Sequence, residues 1–140
     1  IILSVPAPYR VVLYRRFMMR IAEALARRQS ALALVTGESV GQVSSQTLEN
    51  LAAIDEAATM PVLRPLIGFN KQESVDVARD IGTYPVSILP DQDCCTLFTP
   101  RNPVTHTDLE TVRHLEQLLP VEEMVGETLQ QVEEREFVFP

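Results

Sequence analysis

Ser30-Ala31-Leu32-Ala33-Leu34-Val35-Thr36-Gly37-Glu38-Ser39 decides how the rest of the chain is read. Up to Val35 the run is continuously apolar and of strand length. Such runs suit a strand buried on both faces, as in a parallel sheet. The polar turn Thr36-Gly37-Glu38-Ser39 ends it. Upstream, Leu13, Phe17, Ile21 and Leu25 recur at i+4, with Met18 and Ala22 on the flank, and predict a helix over 10–28. Arg16, Arg20, Glu23 and Arg27 fill its other side. Downstream, a second helix is predicted over 45–53 and a short strand at Pro61-Val62-Leu63. A third helix starts near Asn70, which has capping-box spacing to Glu73. Val75, Ala78 and Ile81 are read as its inner face and Gly82 as its stop. Residues 83–103 carry four prolines and read as an irregular loop. A last helical region is predicted over 107–118, interrupted by Pro120, with an acidic segment running on to Glu136. Helices alternating with strands predict an α/β domain with a mostly parallel sheet. Ligands of such domains collect at the carboxyl ends of the strands, here Thr36-Gly37-Glu38 and Arg64-Pro65-Leu66.

Composition bounds the rest. A chain of 140 residues, 46% hydrophobic and 22% charged, suffices for one soluble domain with a core. No apolar run approaches the roughly 18 residues that cross a bilayer, so no membrane role is expected. The chain has neither an initiator Met nor a signal-peptide pattern and opens with strand-like Ile1-Ile2-Leu3-Ser4-Val5, which suggests a piece of something longer. The net charge of −7 is uneven: residues 1–105 hold ten basic and ten acidic side chains, and residues 106–140 hold nine acids and two Arg. We therefore divide the chain into 1–105 and an acidic helical tail, 106–140, of the same domain. Six of the twelve basic residues fall between Arg10 and Arg28. A basic face there could meet phosphates, although a solvated helix face explains the same pattern. Cys94 and Cys95 are adjacent, an awkward geometry for a disulfide, which fits a reducing, cytoplasmic compartment. With His106 and His114 they do not match zinc-ligand spacing, so no metal site is expected.

Three places could carry chemistry. The turn from Thr36 to Gln42 follows a strand and precedes a helix, and its glycines would let backbone N–H groups approach a ligand. It matches neither the dinucleotide fingerprint nor a Walker loop, and a plain strand-to-helix turn would also need a glycine. Lys71 sits in the first turn of a predicted helix, where the helix dipole disfavours a cation unless an anion is bound nearby. Cys94 follows Asp91-Gln92-Asp93 in a loop, where a persulfide-forming thiol would be reachable. His106, Thr107 and Asp108 include triad residue types, but no nucleophile elbow accompanies them.

Taken together, the segments resemble a known family. Leu34-Val35-Thr36-Gly37-Glu38-Ser39-Val40-Gly41-Gln42-Val43-Ser44-Ser45-Gln46-Thr47-Leu48 closely resembles a signature of the tRNA 4-thiouridine sulfurtransferases, the ThiI family. Leu63-Arg64-Pro65-Leu66-Ile67-Gly68-Phe69-Asn70-Lys71 looks like its next block. Ala78-Arg79-Asp80-Ile81-Gly82-Thr83-Tyr84 and Asp93-Cys94-Cys95-Thr96-Leu97-Phe98-Thr99-Pro100 look like two more, and Tyr14-Arg15-Arg16-Phe17-Met18-Met19-Arg20-Ile21-Ala22 matches an upstream helix. The resemblance covers residues 11–103 in order.

It implies the C-terminal part of a PP-loop ATP-pyrophosphatase domain, a doubly wound α/β fold. Such enzymes adenylate the C4 oxygen of a tRNA uridine and then replace it with persulfide sulfur from a cysteine desulfurase; some also serve thiamine thiazole synthesis. The resemblance makes Cys94 the sulfur-handling residue, with Cys95 as the fallback, and Lys71 a charge stabiliser for the phosphates. It has Arg15, Gly37 and Gln46 line the ATP site. The family's Ser-Gly-Gly-x-Asp-Ser loop is missing and is expected N-terminal to Ile1, together with the first strands, the magnesium-holding Asp and the tRNA-binding domains. No rhodanese domain is expected to follow. Missing strands would leave an open sheet edge, a setting that favours oligomers, a homodimer among them. The chain alone is therefore expected to show no turnover. The competing readings are a non-catalytic fragment that binds nucleotide or RNA or serves oligomerisation, and a different ATP-pyrophosphatase, against whose amide-forming members the Cys94-Cys95 block argues.

Overall fold

The computed structural model describes residues 1–90 and 100–138, so Cys94 and Cys95 lie outside the described residues. The elements run α1 (Arg10–Arg28), β1 (Leu34–Val35), α2 (Leu48–Asp55), β2 (Val62–Leu63), α3 (Lys71–Asp80), α4 (Tyr84–Ser87), α5 (Leu109–Glu116) and α6 (Val121–Gln130). The two strands pair in parallel, Leu34 against Val62 and Val35 against Leu63, with α2 in the crossover between them. This is an α/β architecture with a small parallel sheet.

β1 is shorter than the apolar run that predicts it. Ser30 has a left-handed φ of 56°. Its N–H donates to the Arg27 carbonyl at 3.1 Å, and the Ala31 N–H donates to the Ala26 carbonyl at 2.9 Å. That pair of bonds is a Schellman cap, so the first residues of the run close α1 instead of opening a strand. Nor is the run buried on both faces: Leu34 lies in the core, whereas Leu32 is 86% and Val35 68% exposed.

α1 is the spine, packed against α2, α5, α6 and β1. Leu13 and Phe17 of the predicted stripe are buried, as are Val12 and Met19 beside them, while Met18 is exposed. The side read as polar is not all solvated, because Arg16 and Glu23 are buried. Neighbours on several sides enclose the flanks of the stripe, and a charged side chain is tolerated there when its hydrogen bonds are met. The most deeply buried apolar side chains, Val12, Leu13, Ile54 and Val112, come from α1, α2 and α5. Residues on both sides of position 105 thus share one core.

The second predicted helix is displaced. Residues Ser44–Gln46 form a 3-10 turn, and α2 begins only after Thr47, whose side chain accepts the Asn50 N–H at 3.2 Å as an N-cap. At α3 the capping box forms in both directions: Asn70 Oδ1 accepts the Glu73 N–H at 3.0 Å, and Glu73 Oε2 accepts the Asn70 N–H at 2.7 Å. Gly82, at φ +78°, stops the helix. No residue of α3 is buried, so its predicted inner face is only partly covered, through Val75 and Ala78, and Ile81 is exposed. Within the stretch predicted to be a loop, Tyr84–Ser87 form the single turn of α4. Asp108 caps α5 by accepting the Thr111 N–H at 2.8 Å.

A candidate nucleotide site at the strand tips

Both strands end on charged residues that find each other. Glu38, three residues beyond β1, is buried. Its Oε1 accepts Arg15 Nη1 at 2.5 Å, and its Oε2 accepts Arg64 Nε at 2.7 Å and the Thr36 hydroxyl at 2.9 Å. The Nη groups of Arg64, just past β2, donate to both carboxylate oxygens of Asp55 at the end of α2. Burial works against the Arg64 charge, but the hydrogen bonds and charges of Asp55 and Glu38 outweigh it and hold its pKa above the ordinary value.

The loop after β1 is stitched to the loop after β2. Thr36 N–H donates to the Leu63 carbonyl at 3.0 Å and Val40 N–H to the Ile67 carbonyl at 3.0 Å. The Ser39 hydroxyl donates to the Phe69 carbonyl, two residues before Lys71. Lys71 is exposed in the first turn of α3. On the other flank, Gly41 N–H donates to the Gln46 carbonyl at 2.9 Å, while Gln46 Oε1 is buried and has no partner among the described residues. Four of the five site residues expected from the sequence, Arg15, Gly37, Gln46 and Lys71, therefore belong to one set of linked segments at the carboxyl ends of the strands. The fifth, Cys94, lies outside the described residues. The segment that follows it is anchored on the same side: Asn50 Nδ2 donates to the Val104 carbonyl at 2.9 Å and the Thr47 hydroxyl to the Thr105 carbonyl at 2.6 Å, both at the start of α2.

The two glycines of the turn divide its needs. Gly41 takes φ +79°, a conformation that L side chains rarely adopt. Gly37 has no positive φ, and a Cβ built on it meets nothing within 4 Å. Gly41 alone meets the turn's conformational need, and Gly37 leaves an open approach to the backbone beside Arg15 and Glu38.

The basic stretch on α1 is not a free cationic face. Arg10 donates to the Val5 and Ile2 carbonyls, Arg15 pairs with Glu38, Arg16 and Arg20 with Glu116, and Arg27 with Glu23. The sequence puts Glu38 and Arg64 at the two strand ends where ligands collect but gives neither a role of its own. Their signal was present: an acid and a base just past the ends of two adjacent parallel strands. A groove of about 420 Å³ between α1 and α6, lined by Glu23, Ala24, Val125 and Leu129 among others, lies apart from these segments. No helix among the described residues is long and apolar enough to cross a membrane.

Comparison with known proteins places the chain. A family model described as "Thiamine biosynthesis protein (ThiI)" matches residues 1–121. A probable tRNA sulfurtransferase of Thermus thermophilus is 57% identical over 140 residues, which is 100% of this chain and 34% of that protein. One of Halothermothrix orenii is 53% identical over 117 residues, 84% of this chain and 30% of that protein. A crystal structure of a 4-thiouridine synthetase–RNA complex with bound ATP superposes with a TM-score of 0.85 at 47% identity, covering 91% of this chain and 33% of that one. The chain thus spans about a third of the length of the relatives it matches, and it belongs to the ThiI family of tRNA sulfurtransferases.

Proposed function

We propose that this chain supplies the strand-tip half of an ATP site in a tRNA sulfurtransferase that makes 4-thiouridine. The observation that carries the reading is the open backbone at Gly37, beside the Arg15 guanidinium and joined through Ser39 and Phe69 to the Lys71 turn. Such a surface suits an anion: an uncrowded backbone lies next to a residue that holds a partly exposed cation. Gln46 Oε1, buried with no partner among the described residues, suits a donor such as a nucleobase N–H.

In this reading ATP and tRNA meet at the strand tips of a doubly wound PP-loop domain. Magnesium and the pyrophosphate cradle belong to the two-thirds of the relatives that this chain does not span. The uridine C4 oxygen attacks the α-phosphorus of ATP and pyrophosphate leaves, with Lys71 and Arg15 stabilising the phosphate charge. The terminal sulfur of a persulfide on Cys94, supplied by a cysteine desulfurase in the cytoplasm, then attacks C4, and AMP departs with the original oxygen. A second thiol cleaves the S–S bond, leaving sulfur on the base and a disulfide on the protein. A role in thiamine thiazole synthesis would draw on the same persulfide, and a homodimer is the expected assembly.

The test is the 4-thiouridine content of tRNA in a deletion strain complemented with the whole reading frame that carries this chain. Cys94→Ser is expected to abolish the modification and Cys95→Ser to leave it. Unchanged 4-thiouridine with Cys94→Ser would contradict the sulfur assignment. Thiolation of tRNA by the 140-residue chain alone would contradict the division of labour.

A further inference from the structure

The geometry points to Glu38 as the positioning residue of the strand-tip site, acting through Arg15; this rests on the reading that Arg15 faces the nucleotide. Glu38 is itself locked. Its Oε2 accepts from two directions, the Thr36 hydroxyl at 2.9 Å and Arg64 Nε at 2.7 Å. Arg64 cannot swing away, because Asp55 holds its other nitrogens. Only Oε1 is left, and it accepts Arg15 Nη1 at 2.5 Å. The two arginines consequently play different parts. Arg64, with a side chain 10% exposed, is fully engaged as a brace, whereas the Arg15 side chain is 29% exposed and uses one of its nitrogens within the described residues.

Arg15 rides on α1 and Glu38 on the loop after β1, so the carboxylate fixes a helix-borne cation over the turn that contains Gly37. A guanidinium is a long, rotamer-rich group. Holding it in place before ligand arrives removes the ordering that a phosphate would otherwise have to impose. The carboxylate offsets part of the Arg15 charge, and the gain in return is orientation of the remaining N–H groups.

Steady-state thiolation kinetics of the whole protein test this, with Glu38→Gln, Arg15→Ala and the double variant, each checked by thermal melting. Glu38→Gln is expected to raise the KM for ATP about tenfold with kcat within about twofold, and to have no further effect once Arg15 is alanine. Thr36→Val removes one of the two locks on the carboxylate and is expected to raise the same KM about threefold, which keeps the test open if Glu38→Gln does not fold. Glu38→Asp in place of Gln should recover part of the loss. Equal losses from Glu38→Gln with and without Arg15, or a lowered melting temperature with unchanged KM in both Glu38→Gln and Thr36→Val, would overturn the assignment. An Arg15→Ala variant with unaltered KM and kcat would overturn it too. Absence of ATP-dependent thiolation by the unsubstituted protein would instead overturn the proposed function.

Discussion

Gly41 and Gly37 stand four residues apart in one turn and should respond oppositely to the same substitution. Gly41→Ala puts a Cβ on a backbone at φ +79° and should cost about 1–2 kcal/mol in chemical denaturation. Gly37→Ala meets open space and no positive φ, so it should leave stability unchanged or raise it by up to about 1 kcal/mol, while depressing 4-thiouridine formation in the whole protein. Loss of stability at Gly37 with activity intact would remove the case for a ligand there. The sequence could not separate these glycines, because a turn residue and a ligand-facing residue look alike until φ is known. Lys71 and the Asn70–Glu73 box were legible, since a cap is written in residues three apart. Glu38 and Arg64 were less so: their pairing depends on strand register, which spans 26 residues of sequence.

At the scale of elements, charge joins what composition suggested was separate. Arg16 on α1 has a side chain 2% exposed and donates to Glu116 on α5 through Nε at 3.0 Å and Nη2 at 2.6 Å, and to Glu56 beyond α2 at 3.1 Å. Glu116 also accepts Arg20 at 2.8 Å. Part of the basic stretch on α1 is therefore neutralised by the acidic segment after position 105. Removing Glu116 would leave the buried Arg16 with Glu56 as its remaining charge partner and two of its guanidinium N–H groups unmatched. Glu116→Ala is expected to destabilise by about 3–5 kcal/mol in urea titration. Arg79→Ala, which breaks an exposed pair with Asp76, should change stability by less than about 1 kcal/mol. Comparable effects from the two would contradict the buried network. Helix and strand order was readable from periodicity. The shortening of β1 was not, because Ser30 adopts a left-handed cap that no apolar pattern announces.

For the molecule as a whole, the same pairing sets its response to acid. Burial pushes the Glu23 carboxyl up, but hydrogen bonds from the Thr59 hydroxyl and N–H and from Arg27 bring it down to about 2. Glu56 is lowered, first by its bond to Arg113. Glu116 is lowered because Arg16 and Arg20 outweigh its desolvation. With folded pKa values below the ordinary carboxylate range, the unfolded chain binds more protons in acid. The stabilisation is fully present above the ordinary value of about 4.5 and is lost as pH falls toward about 2. Denaturation midpoints should be nearly level from pH 7 to about 5 and fall steadily below that; a profile level down to pH 3 would contradict the account. The α/β order and the parallel pairing were legible. Which cations stay available to a ligand was not, since that depends on long-range partners such as Glu116, 100 positions from Arg16.

Photolabelling of the whole protein with an azido-ATP, mapped by peptide mass spectrometry, addresses the central claim most directly. Label is predicted on the loop from Thr36 to Gln46 or on the segment from Arg64 to Lys71, competed away by ATP. Competed label confined to the groove between α1 and α6, at Ala24, Val125 or Leu129, would place the nucleotide elsewhere and contradict the account.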